Sequence, residues 1–117
     1  MKKIYHLANC STCQRIITEI KPGKDVELQN IKEEKITAKQ LDQMKKLGGS
    51  YESLFSRKAM KYRSLGLADK NLKEKEYRQL ILDEYTFLKR PVIIQGNEIF
   101  IGNAKKVVEG AKAALNK

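Results

Sequence analysis

Apolar residues fall in short runs at the two ends of the chain and recur at helical spacing between them. Ile4, Tyr5 and Leu7 in Lys3-Ile4-Tyr5-His6-Leu7 predict a first strand. Ile16, Ile17 and Ile20 then recur at helical spacing, and Lys21-Pro22-Gly23 stops that helix. A second strand is expected from about Asp25 to Gln29, with Val26 and Leu28 on one face, which completes a right-handed parallel βαβ unit. In the middle, Thr37-Ala38-Lys39-Gln40 fits a capping box, Leu41, Met44 and Leu47 form a stripe, and Gly48-Gly49 closes the helix. A second box, Asn71-Leu72-Lys73-Glu74, opens a helix carrying Tyr77, Leu80 and Ile81, so residues from about 37 to 86 read as entirely helical with turns near Gly66. Strands return at Val92-Ile93-Ile94 and Glu98-Ile99-Phe100-Ile101. Between them Gly96-Asn97 suits the positive φ angles of a tight hairpin turn. Asn103 is then the expected cap of a last helix whose Ala104, Val107, Val108, Ala111 and Leu115 face the core.

At 117 residues the chain can bury one core and is too short for two ordinary domains, so it is read as a single domain over residues 1–117 with a helical insertion at about 37–86. Met1-Lys2-Lys3 is basic, but His6 and Asn9 interrupt the apolar stretch behind it, and no segment has bilayer-spanning length, so neither a secretory signal nor a membrane is expected. Twenty-four Lys and Arg against fourteen Asp and Glu leave a formal charge of +10, which attracts anions. The basic residues are scattered, with no dense tract or aromatic platform, which argues against direct nucleic-acid binding.

The two cysteines are Cys10 and Cys13, in Cys10-Ser11-Thr12-Cys13, where the first strand gives way to the first helix. One closely spaced pair beside a βα pattern reads as a redox motif in a reducing cytoplasm. A cysteine that opens a helix meets unpartnered N–H groups and the positive end of the helix dipole, both of which favour its thiolate. Cys10 is therefore the candidate nucleophile, against the plainer reading of a small buried hydrophobe. Cys13, one turn on, is the candidate resolving thiol. No further cysteine and a single histidine, His6, leave too few ligands for zinc, so no metal is expected. Backbone N–H groups near Ser11, Thr12 and Cys13 would cradle an anion, with Arg57 and Arg90 adding charge-assisted bonds. Pro91 opens an apolar strand. An ordinary edge-strand proline is the commoner reading, and a cis Arg90–Pro91 bond, which would bring Arg90 towards the cysteine, the rarer one. Tyr62, Tyr77, Tyr85, Phe87 and Phe100 read as packing residues. The order βαβ, helices, ββα with this motif after the first strand is an α/β, thioredoxin-like arrangement with an inserted all-helical subdomain.

Four segments in this order resemble the glutaredoxin-linked arsenate reductase (ArsC) family and its Spx-like relatives. They are Ile4-Tyr5-His6 with Cys10-x-x-Cys13, Leu54-Phe55-Ser56-Arg57, Tyr62-Arg63-Ser64-Leu65-Gly66-Leu67, and Leu88-Lys89-Arg90-Pro91-Val92-Ile93-Ile94. The resemblance implies a thioredoxin-like fold, Cys10 as the cysteine that attacks arsenate, Arg57 and Arg90 as two of the arginines holding the oxyanion, and Pro91 as the cis-proline. It also implies no bound cofactor and an external reductant, glutathione with glutaredoxin or thioredoxin. The family's third arginine is missing: Gly102-Asn103 follow the last strand, as in Spx-like members. Those relatives use a Cys-x-x-Cys disulfide as a switch while binding RNA polymerase, but the basic C-terminal extension they carry does not follow Lys117. The leading expectation is thus a cytoplasmic thiol oxidoreductase acting on a small oxyanion or a disulfide, with an RNA polymerase-binding redox regulator second and a generic disulfide reductase third.

Overall fold

The computed structural model describes residues 1–116. Two compact units divide the chain: Met1–Lys35 with Arg90–Lys117, and Ile36–Lys89.

In the first unit, β1 (Lys2–His6), α1 (Ser11–Ile20), β2 (Glu27–Asn30), β3 (Val92–Gln95), β4 (Glu98–Ile101) and α5 (Lys105–Leu115) build one four-stranded sheet and two helices. The strand order is β2-β1-β3-β4, with β1 and β2 parallel and the other pairs antiparallel. This is the expected thioredoxin-like α/β arrangement. Ile4 and Ile93, cross-strand partners, share one sheet face, and Ile16 and Ile20 of α1 and Val108, Ala111 and Leu115 of α5 pack on it, with Val26 and Phe100 at the margins. Each fully buried aliphatic side chain contributes about 1.5–3 kcal/mol, so this cluster sets where α1 lies on the sheet. The opposite face, carrying Lys3, Tyr5, Gln29 and Ile94, is also buried. Lys3 is tolerated there because its ammonium pairs with Glu27 at 3.3 Å and lies 4.9 Å from the Tyr5 ring centroid.

Several expectations change in detail. The second strand runs over Glu27–Asn30, later than Asp25–Gln29. Val26 reaches the core, whereas Leu28, level with Ile4 on the same side, sits on an edge strand and is 47% exposed. The residue sealed within the strand is Gln29, whose amide donates to the Glu34 carbonyl at 3.0 Å. In the hairpin only Gly96 has positive φ (59°), as a II′ turn requires, and Asn97 does not. Asn103 does not cap α5. The turn at Gly102 (φ 90°) carries the chain one residue further, and Ala104 becomes the N-cap without a side-chain bond.

The second unit contains α2 (Ala38–Gly48), α3 (Met60–Ser64), α4 (Glu74–Asp83) and 3-10 turns at Glu52–Leu54, Leu67–Asp69 and Tyr85–Phe87. It is not wholly helical, since Phe55 and Leu88 form an antiparallel bridge. Thr37 and Gln40 close the expected capping box on α2. The second box shifts: α4 is capped at Lys73, whose N–H donates to Glu76 at 3.0 Å, and not at Asn71. Glu74 is engaged elsewhere, accepting from the amides of Tyr51 (2.7 Å) and Glu52 (3.0 Å). Phe55 fills the centre of this unit, with ring centroids of Tyr77 at 4.9 Å, Phe87 at 5.0 Å and Tyr62 at 6.0 Å, which agrees with their reading as packing residues.

Ile16→Ala is expected to lower the unfolding free energy by about 2–5 kcal/mol, while Leu28→Thr changes it by less than about 0.5 kcal/mol. Urea denaturation followed by circular dichroism measures both.

Candidate active site

β1 ends at His6, and the chain turns into α1 within four residues, the Cys10 amide donating to the Leu7 carbonyl at 3.0 Å. Cys10 is the N-cap of α1, with extended torsions (φ −96°, ψ 117°). Its sulfur closes no conventional capping bond but lies at the helix end where the first amides lack intrahelical partners and the dipole is positive. Both cysteines are thiols; Cys10 is half-buried and Cys13 is 1% exposed.

The two sulfurs are unequal. Burial opposes ionisation of Cys10, but the Cys13 amide, the Cys13 thiol, the Thr12 amide and the Arg90 guanidinium together outweigh it, and its pKa falls below the ordinary thiol value. Burial dominates at Cys13, and the nearby Cys10 charge adds to it, so this thiol is pushed well up despite help from the Leu7 backbone and Arg90. Cys10 is therefore the more acidic of the pair, and the Cys13 thiol donates to its sulfur.

Ser11 is the exposed first residue of α1, and Thr12 follows it half-buried. The Arg90–Pro91 bond is cis, Pro91 is buried, and its carbonyl accepts from Gly102 N–H at 2.9 Å. Pro91 precedes β3, which is flanked by β1 and β4, so the edge-strand reading fails: the proline stands just outside an internal strand, where no ladder N–H is lost. Cys10, Ser11, Thr12, Cys13, Arg90 and Pro91 thus belong to the first unit. Arg57 belongs to the second, where its Nη2 donates to Glu52 (2.9 Å) and to the Tyr77 hydroxyl (3.0 Å). Burial lowers the His6 pKa, which keeps that ring neutral at neutral pH.

Sequence reasoning passed over two side chains that touch the turn before Cys10, Gln14 and Asn30. Asn30 carried one readable signal, a polar residue at the carboxyl end of the strand parallel to β1, the end where α/β sheets place their sites. Among the described residues no group of three or more His, Cys, Asp or Glu side chains is arranged to hold a metal ion, and no helix is long and apolar enough to cross a membrane.

Residues 5–111 match the family model described as the ArsC family. The chain belongs to the ArsC family. This ArsC family member shares its fold with the solution structure of an arsenate reductase (ArsC) related protein from Brucella melitensis (25% identity, TM-score 0.72, covering 93% of this chain and 92% of that one). A Staphylococcus aureus protein is similar at 26% identity and TM-score 0.73 (95% and 98% covered), as in fold is an arsenate reductase from Vibrio cholerae at 16% and 0.78 (97% of each). No curated protein matches the chain. The family and its fold mark the chain as a member of a thiol-dependent, arsenate reductase-like group.

Alkylation of Cys10 by iodoacetamide is expected to stay fast below the ordinary thiol range and to be lost only as pH falls through the depressed pKa. Arg90→Gln should move the midpoint upward, read from the rate–pH profile with adducts located by mass spectrometry.

Proposed function

We propose that this ArsC family member is a dithiol reductase in which Cys10 attacks and Cys13 resolves. One observation carries the reading: two cysteines one helical turn apart have oppositely shifted thiols. The Cys10 thiolate is the nucleophile, and the helix-end amides with Arg90 stabilise negative charge on the bound group.

For an arsenate-type oxyanion, the Cys10 sulfur bonds to arsenic as one oxygen is displaced. Capping Cys10 removes the charge that helped hold the Cys13 proton. Cys13 then attacks the Cys10 sulfur, an S–S bond forms, the S–As bond breaks, and its electron pair leaves with arsenic. In sum, one dihydrogen arsenate and two thiols give one dihydrogen arsenite, one disulfide and one water. With a disulfide substrate the same two attacks release two thiols. An external reductant, two glutathione thiols acting with glutaredoxin or the dithiol of thioredoxin, then returns two electrons to the Cys10–Cys13 disulfide and leaves as a disulfide itself, and a reducing cytoplasm suits that cycle.

Gly102-Asn103 in place of a third arginine favours a second reading, a redox-switched partner of RNA polymerase in which the same disulfide changes binding instead of turning over. Assays with arsenate or a mixed disulfide, each with glutathione and glutaredoxin, separate the readings. Turnover above background supports the reductase, whereas no turnover with oxidation-dependent polymerase binding supports the regulator.

Cys10→Ser is expected to abolish turnover, and Cys13→Ser to halt after the first attack, leaving a one-to-one adduct visible by intact mass. Arg90→Ala should cost about ten- to a hundredfold in kcat/KM. Arg57→Ala should cost less, because the Arg57 guanidinium already serves Glu52 and Tyr77.

A further inference from the structure

We infer that Asn30 and Gln14 are positioning residues for Cys10, acting by gripping the Ala8 peptide groups from both sides; the inference rests on the reading of Cys10 as the nucleophile. Asn30 is the last residue of β2, and the parallel register that sets it level with His6 brings it beside the chain leaving β1. Its Oδ1 accepts from the Ala8 amide at 3.2 Å and from Lys32 N–H at 3.4 Å. From the other side, Gln14 in the first turns of α1 donates from Nε2 to the Ala8 carbonyl. One residue two positions before Cys10 thus has its N–H held by the sheet and its C=O held by the helix that Cys10 caps.

The grip matters because, beyond buried Leu7, the residues of this turn have little packing to hold them. Ala8 and Asn9 are exposed, and one backbone bond, Cys10 N–H to Leu7 O, closes it. The helix-end amides act on the Cys10 sulfur only while the N-cap keeps its extended torsions, and those are set by the direction in which the chain enters the helix. With the Ala8 peptides released to water the turn samples other entry directions, and the thiolate spends part of its time away from the Thr12 and Cys13 amides. The expected result is a less acidic Cys10 with little loss of stability, because water satisfies the exposed groups that are set free.

Gln14→Met removes the donor at nearly constant length and charge, and Asn30→Ala removes the acceptor. Thr18→Val, which deletes the Thr18 hydroxyl bond to the Gln14 carbonyl on the same helix, is the control. Each variant is followed by thiolate absorbance against pH, by Cys10 alkylation rate, and by thermal melting. Gln14→Met and Asn30→Ala should each raise the Cys10 pKa by about 0.5 to 1, leaving roughly three- to tenfold less thiolate at a pH below it, with melting little changed. Thr18→Val should leave the pKa where it was. Asn30→Asp, which keeps the acceptor, should restore most of the shift at high salt, where its charge is screened. If the native protein shows a depressed Cys10 pKa and neither Gln14→Met nor Asn30→Ala moves it, the positioning role is overturned and the nucleophile stands. A native Cys10 that titrates like a free thiol overturns the nucleophile itself. Should Asn30→Ala fail to fold, Gln14→Met alone decides, since its side chain is exposed and makes one bond.

Discussion

Ile4 in the centre of β1 lies beneath Ile16 and Ile20, and that apolar contact governs the rest of the first unit. It fixes the height and angle at which α1 crosses the sheet, so the chain leaving His6 has only the residues from Leu7 to Cys10 in which to reverse and enter the helix. A turn this short places the N-cap beside the carboxyl ends of both parallel strands. Electrostatics then act on whatever side chain occupies the cap. Here it is a cysteine, and packing energy spent burying isoleucines is expressed as the acidity of a thiol some distance away.

The second unit is organised differently, by polar bonds around an aromatic centre. Asp42 receives a two-pronged bond from Arg78 (2.8 and 3.1 Å) and a hydroxyl bond from Tyr51, and these donors hold its carboxyl well below the usual carboxylate range. Glu74 bridges from α4 to the two amides that start the 3-10 turn at Glu52–Leu54, and Arg57 leans on Glu52 and Tyr77. Such bonds tie together elements whose large apolar side chains, among them Leu41, Met44, Leu54, Phe55, Ile81 and Phe87, are buried. They also hold Arg57 in one orientation.

Elements governed by local rules were legible in the chain. The α1 stop, the Thr37 box, the Gly49 cap and the hairpin all follow from neighbours within four residues, and the β1–β2 and β3–β4 pairings follow from the βαβ unit and the hairpin. What escaped the sequence was decided by distant partners. Asn71 looked like a cap until Glu74, its expected companion, was taken by Tyr51 and Glu52. Leu28 looked like core because alternation cannot tell an edge strand from an inner one. At the site, the Cys10–Cys13 spacing announced itself, and cis geometry at Pro91 came only through the family resemblance. Gln14 remained hidden, and Asn30 showed only as a polar residue at a strand end, because their meaning lies in a backbone group reached across a turn and a sheet.

The burial of Cys13 has a consequence for traffic through the pair. A cysteine with 1% of its surface accessible cannot be approached by the thiol of another protein, whereas the half-buried Cys10 can. In the proposed reductase cycle, exchange with an outside molecule would therefore begin and end on Cys10. In that proposed cycle an incoming thiol opening a Cys10–Cys13 bond would join Cys10, and Cys13 would depart first and regain its proton in the interior. The depth of one side chain would thus give the proposed cycle a fixed order of loading and unloading.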